Sequence, residues 1–194
     1  DELHHYRGVF GSHLANVIRR LKRILRFYNS SVQFICSSAT IANPVELAEK
    51  ILEEKVELVD KNGAPRAEKH FIFYNPPVVN QQLGIRRSAL LSAKNVASKI
   101  IANDIQTIVF VPYRTTTEIL LTYLRDSLRG SINTKQAIFG YRGGYLPNER
   151  RRIERGLKSG EIRGVVSTNA LELGIDIGQL QAAVLTGYPG SIAS

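Results

Sequence analysis

The sequence predicts an α/β fold built on parallel sheets, and three features of the chain carry that prediction. Short apolar runs recur, segments of ten or more residues with helical periodicity lie between them, and polar residues follow each run. Strands that alternate with helices need crossover connections, which give a parallel sheet covered on both faces. In such sheets ligands sit outside the carboxyl ends of the strands.

The elements follow in order. Between Gly11 and about Tyr28, Leu14, Val17, Ile18, Leu21, Leu25 and Tyr28 recur at helical spacing, with Arg19, Arg20, Lys22, Arg23 and Arg26 on other faces. The first reading of this basic helix is a solvated face covering a sheet; nucleic-acid contact comes second and a membrane surface third. Val32–Cys36 reads as a buried strand leading into Ser37, Ser38, Ala39 and Thr40. Asn43, Pro44 and Glu46 then supply an N-cap, a first-turn proline and a capping-box acid for a helix to about Glu54. A short strand at Val56–Val59 precedes the linker-like run from Asp60 to Pro65, so the domains are placed at residues 1–64 and 65–194. Beyond it the spacing predicts strands at 71–74, 107–111, 137–139, 165–168 and 183–186, and helices at 88–102, 116–129 and 149–158.

Composition narrows the function. Of 194 residues, 26 are Lys or Arg and 17 are Asp or Glu, a net charge of +9 that points to a polyanionic partner or an acidic membrane surface, nucleic acid first. The single cysteine, Cys36, excludes an internal disulfide and reads as a small buried thiol. No run approaches the roughly 18 apolar residues of a spanning helix, and no secretory signal is evident, so an intracellular location is expected, cytoplasmic and nucleoid-associated in a prokaryote. The four histidines His4, His5, His13 and His70 lack the His and Cys clustering that zinc requires.

Several polar groups suit nucleotide and nucleic-acid chemistry. In Asp1-Glu2, one carboxylate can hold a magnesium ion while its neighbour orients or deprotonates a water. The hydroxyls of Ser38 and Thr40, at a strand end, can bond a residue such as His4 and sense the state of the nucleotide site. Ser167 to Gly178 ends a strand with hydroxyls and sets Gly174 and Gly178 around Asp176, a pattern able to hold phosphate and ribose as well as to cap a helix. Tyr141-Arg142-Gly143-Gly144-Tyr145 offers a cation, a flexible backbone and two aromatics for clamping a phosphate and stacking a base. The charged face from Asn148 to Arg155 reads as solvation.

With those residues in place the chain resembles superfamily 2 DExH helicases. Asp1 to His4 resembles motif II, Ser38 to Thr40 motif III, Phe110 to Arg114 motif IV, and Ser167 to Gly178 motif V, in the family's order and at its intervals. More narrowly, DELHHYRGVFGSHLANVIRRLKRI, YRGGYLPNERRRIERGLKSGEIRGVVSTNALELGIDIG and LTGYPGSIAS are similar to DNA-repair helicases of the mitomycin repair factor type, relatives of the RecQ4-like branch. The resemblance implies two RecA-like domains, the first present only as its C-terminal part. It implies ATP and Mg2+ as cofactors and 3′-to-5′ travel on single-stranded DNA. By position, Asp1 would bind magnesium, Glu2 would activate the hydrolytic water, and His4, Ser38 and Thr40 would couple hydrolysis to movement. Gly174 and Asp176 would touch the nucleotide, and Arg142 and Thr168, with Arg114 as a further candidate, the nucleic-acid backbone. A phage-defence translocase, an RNA helicase of the same superfamily and a non-catalytic nucleic-acid-binding module are the alternatives.

The 194 residues contain no methionine, no Gly-Lys-Thr phosphate loop before Asp1 and no arginine-bearing motif VI after Ser194, so the chain reads as a piece of a longer product. A loop lysine and arginine fingers stabilise phosphoryl transfer by as much as about 10³ to 10⁵ in rate. A polypeptide of residues 1–194 alone is therefore expected to hydrolyse ATP negligibly in a steady-state phosphate-release assay, and robust turnover would contradict this.

Overall fold

A computed structural model describes residues 1–38, 41–61, 63, 67–130, 137–171 and 180–188, and the chain falls into two units that join in sequence at His70–Phe71. In the first unit a short 3-10 turn at Leu3–His5 precedes α1 (Gly8–Phe27) and α2 (Pro44–Leu52). Leu3, Ala48, Ile51 and Leu52 form its buried centre, against which Leu14, Ile18 and Phe34 pack.

A helical residue advances about 100° per position, so Leu14, Val17, Ile18, Leu21 and Leu25 of α1 lie within a single stripe about 100° wide, one side of which is covered more than the other. Leu14 and Ile18 face the centre, whereas Val17 and Leu21 are 60% and 41% exposed. Pro44 opens α2 as the sequence predicts, but Asn43 donates from Nδ2 to Glu46 Oε2 at 2.9 Å and does not cap the backbone with its side chain. Beyond the end of α2, Glu53 accepts from Arg19 and Glu54 pairs with Lys22 at 2.6 Å, tying the basic helix to α2. The hydrogen bond to Arg19 holds the Glu53 carboxyl below its ordinary range.

Among the described residues this unit contains no strand. The runs Val32–Cys36 and Val56–Val59 are not strands, because a strand needs a neighbour to complete its ladder and none pairs with them among the described residues. One backbone bond, from Leu3 N to Ser37 O at 2.9 Å, aligns the chain start with Ser37. Cys36, expected to be buried, is exposed for the same reason. The run Phe71–Tyr74 is likewise no strand, and Phe73 is 90% exposed.

The second unit opens with an antiparallel pair that periodicity did not predict, β1 (Val78–Asn80) with β2 (Ile85–Arg86). There follow α3 (Ala89–Ala102), β3 (Thr107–Phe110), α4 (Arg114–Ser127), β4 (Ile138–Tyr141), α5 (Pro147–Ser159), β5 (Gly164–Ser167) and β6 (Ala182–Leu185). The last four strands form one sheet in the order β4-β5-β3-β6, every pair parallel. This is the α/β architecture expected from the alternating pattern.

Side chains alternate across that sheet. Val109, Ile138 and Val166 pack with Ile101, Leu120 and Leu124 of α3 and α4. Ile108, Val165 and Tyr141 face the opposite way and pack with Ile153 and Leu157 of α5. Burying three such aliphatic groups is worth about 1.5–3 kcal/mol each, so the two apolar layers fix the sheet between its helices. At the amino end of β3 the buried Gln106 donates from Nε2 to Leu157 O and Ile162 O, both at 2.8 Å, satisfying carbonyls at the turn after α5.

Candidate functional site

In the first unit, the polar groups singled out in the sequence gather around the 3-10 turn. Asp1 Oδ1 accepts from Ser37 Oγ at 2.5 Å and from Glu2 N at 2.9 Å. His4 Nδ1 lies 3.3 Å from Ser38 Oγ and 3.4 Å from Glu2 Oε2. Glu2 itself has φ 53°, a left-handed conformation that costs an ordinary residue about 1–2 kcal/mol. Strain of this kind persists where the surroundings dictate it, and here it sits on the carboxylate expected to act on water.

Glu2, His4 and His5 offer ligand atoms within 4.8 Å of one another, so the two adjacent histidines do cluster, contrary to expectation. This set mixes one carboxylate with two imidazoles, which suits a borderline metal and not magnesium. Asp1 is the better magnesium ligand. Its oxygens are hard donors, Oδ1 is already oriented by two hydrogen bonds, and Oδ2 accepts none among the described residues. Thr40, the remaining coupling candidate, lies outside the described residues, as do Gly174 and Asp176.

In the second unit the carboxyl ends of the sheet bring Arg114, Arg142 and Thr168 to one edge, after β3, β4 and β5 respectively. Arg142 donates from Nε to Glu118 Oε1 at 2.7 Å, and the same oxygen accepts from Tyr145 OH at 3.2 Å. The guanidinium lies 4.9 Å from the centre of the Tyr145 ring, a cation–π contact. Its hydrogen bond to Glu118 raises the Arg142 pKa above the ordinary arginine value, more than offsetting desolvation. Burial, then the Glu118 carboxylate, raises the Tyr145 phenol.

Two glycines allow this packing. A Cβ on Gly140 would lie 3.0 Å from the Tyr145 hydroxyl, and one on Gly143 would lie 3.2 Å from Arg114 Nη2. Arg114 and Arg142 therefore flank one loop, with Gly143 letting the Arg114 guanidinium rest on the backbone. The structure separates the two tyrosines that the sequence reading grouped together. Tyr145 stays partly exposed beside Arg142, but Tyr141 is the last residue of β4, 2% exposed, and donates to Glu154 Oε1 at 2.8 Å. Burial and the Glu154 carboxylate push its pKa up to about 12, so it is a neutral core group and not a base-stacking platform.

Thr168 N donates to Tyr141 O at 3.4 Å, and Thr168 Oγ1 accepts from Ala170 N at 3.4 Å, capping a 3-10 turn at Asn169–Leu171. Only 7% of Thr168 is exposed, so its contribution at this edge is to shape the backbone as much as to present a hydroxyl. Three groups at these sites were not singled out from the sequence: Ser37, Glu118 and Thr186. Thr186 Oγ1, at the end of β6, is buried with no partner among the described residues. Glu118 carried a usable signal, since its position four residues after Arg114 puts both on one face of α4.

The chain is 62% identical over its whole length to the uncharacterized ATP-dependent helicase YprA of Bacillus subtilis, covering 26% of it. It is 40% identical to the ATP-dependent helicase HRQ1 of Saccharomyces cerevisiae, of which it covers 18%. Among solved structures it is similar to the helicase MrfA bound to DNA, with 62% identity and a TM-score of 0.87 over the full chain, and to MrfA bound to DNA and AMPPNP, with a TM-score of 0.85. It spans 26% and 27% of those two chains. The helicase conserved C-terminal domain matches residues 92–194, more than half of the chain, and the chain belongs to that helicase family.

Proposed function

We propose that the chain is part of an ATP-dependent helicase or translocase motor that moves 3′-to-5′ along single-stranded DNA in DNA repair. The observation that carries this reading is the strand-end cluster of the second unit, where Arg142, Arg114 and Tyr145 crowd a glycine loop in a chain of net charge +9. Arginine guanidiniums bind phosphates through paired N–H groups and hold a strand by its backbone, while an aromatic ring accepts a base face. The likeness to DNA-bound MrfA supports DNA over RNA as the strand.

The first unit would supply half of the nucleotide site. Asp1 would hold a magnesium ion, whose charge would offset that of the ATP phosphates. Glu2 would take the proton of the attacking water, a role its position beside His4 suits, because the 3.4 Å approach ties the carboxylate to the imidazole. Through Ser38 and Thr40, His4 would pass the state of the site to the rest of the protein. Gly174 and Asp176 would touch the nucleotide from the second domain. The domains are proposed as residues 1–64, the end of the first RecA-like domain, and 65–194, most of the second, in an intracellular protein.

Two variants of the full-length protein test these assignments. Glu2→Gln keeps the shape of the side chain but removes the proton acceptor, so ATP and DNA binding are expected to persist while steady-state turnover stops. Wild-type-like turnover would remove Glu2 from catalysis. Arg142→Ala is expected to weaken single-stranded DNA binding and to flatten its log–log salt dependence by roughly 0.7, the loss of one phosphate contact. An unchanged slope in an anisotropy titration would take Arg142 off the DNA path.

A further inference from the structure

An acid beside a DNA path is costly, because it repels the phosphates that the neighbouring arginines attract. Glu118 nevertheless stands at the edge where Arg142 and Arg114 meet, half-exposed on α4. Its partners explain what it does there. One oxygen, Oε1, accepts from Arg142 Nε at 2.7 Å and from Tyr145 OH at 3.2 Å, and the Tyr145 ring supports the guanidinium at 4.9 Å. Among the described residues the Nη groups of the guanidinium make one hydrogen bond, at 3.4 Å from Nη1 to Gly143 O.

A free arginine side chain samples many rotamers, and freezing it on binding costs affinity. Here the freezing is done in advance. The carboxylate occupies Nε, the ring fixes the plane, Gly143 O takes one Nη1 hydrogen, and the other Nη hydrogens are left for a ligand with paired acceptor oxygens. A phosphodiester offers such a pair.

We propose that Glu118 is a positioning residue for nucleic-acid binding, which holds Arg142 by its Nε and so presents the Nη edge to a backbone phosphate. The inference rests on the reading of Arg142 as a DNA contact. It predicts a result of unexpected sign: deleting a negative charge from the DNA path weakens binding.

The test measures the affinity of the full-length protein for a fluorescein-labelled single-stranded oligonucleotide by anisotropy, at one fixed salt concentration. Glu118→Ala is expected to weaken binding by about three- to tenfold, the size that ordering one long side chain commands. Glu118→Gln is expected to stay within about twofold of the wild type or to bind more tightly, because its amide oxygen still accepts from Nε while the repulsive charge is gone. In the background of Arg142→Ala, Glu118→Ala is expected to cause no further loss, since the group it positions is absent.

If Glu118→Ala binds as tightly as the wild type or more tightly while Arg142→Ala weakens binding, the positioning role is overturned and the Arg142 assignment stands. Equal losses for Glu118→Ala and Glu118→Gln, or additive losses in the double variant, overturn the role in the same way. If Arg142→Ala has no effect, the Arg142 assignment falls first and the inference falls with it.

Discussion

The strand-end site of the second unit depends on β3 pairing in parallel with both β5 and β6. Parallel strands cannot be joined by a tight turn, so the chain must return across the sheet through a crossover each time. The carboxyl ends of β3, β4, β5 and β6 therefore finish along one edge, and the residues that follow them become neighbours although they lie far apart in sequence. Arg114 and Gly143 meet because of this constraint, as do Glu118 and Arg142.

The same geometry divides the residues of each loop into structural and accessible groups. Strand β4 alternates between two apolar layers, which turns Tyr141 into the core beside Glu154 and leaves the next residue, Arg142, at the edge. A one-residue shift of the strand would exchange those positions, because successive side chains point to opposite faces. Gly140 contributes by its lack of a side chain, leaving room for the Tyr145 hydroxyl to reach Glu118. Charge is then balanced unevenly. Arg142 shares Glu118 with a phenol, and Arg114 rests on backbone without a carboxylate partner in the described structure, so the edge remains attractive to an anion.

Much of this was legible in the sequence, and the parts that were not share a cause. The alternating pattern of the second unit places its four parallel strands and its three longer helices, because each element there finds its partner within the same unit. Val32–Cys36 and Phe71–Tyr74 have equally apolar runs but no ladder beside them among the described residues, and periodicity alone does not reveal whether a neighbour exists. The short pair β1 and β2 went unseen because three residues against two carry too little pattern. At the site, Arg142 and Thr168 were singled out from residue type and position after strands, and Arg114 from the resemblance to motif IV. Glu118 was not: its spacing from Arg114 marked the helix face, but its partner Arg142 lies 24 residues away in sequence, a contact that only the fold creates.

On this reading the strand-end edge of the second unit, with Arg142 after its outermost strand β4, holds a nucleic-acid backbone. A crystal or cryo-EM structure of the full-length protein with a short single strand of DNA tests it most directly. A phosphate oxygen within about 2.7–3.2 Å of an Arg142 nitrogen, with Glu118 still on Nε, is the predicted result. A strand that passes the second unit without approaching the end of β4 would contradict it.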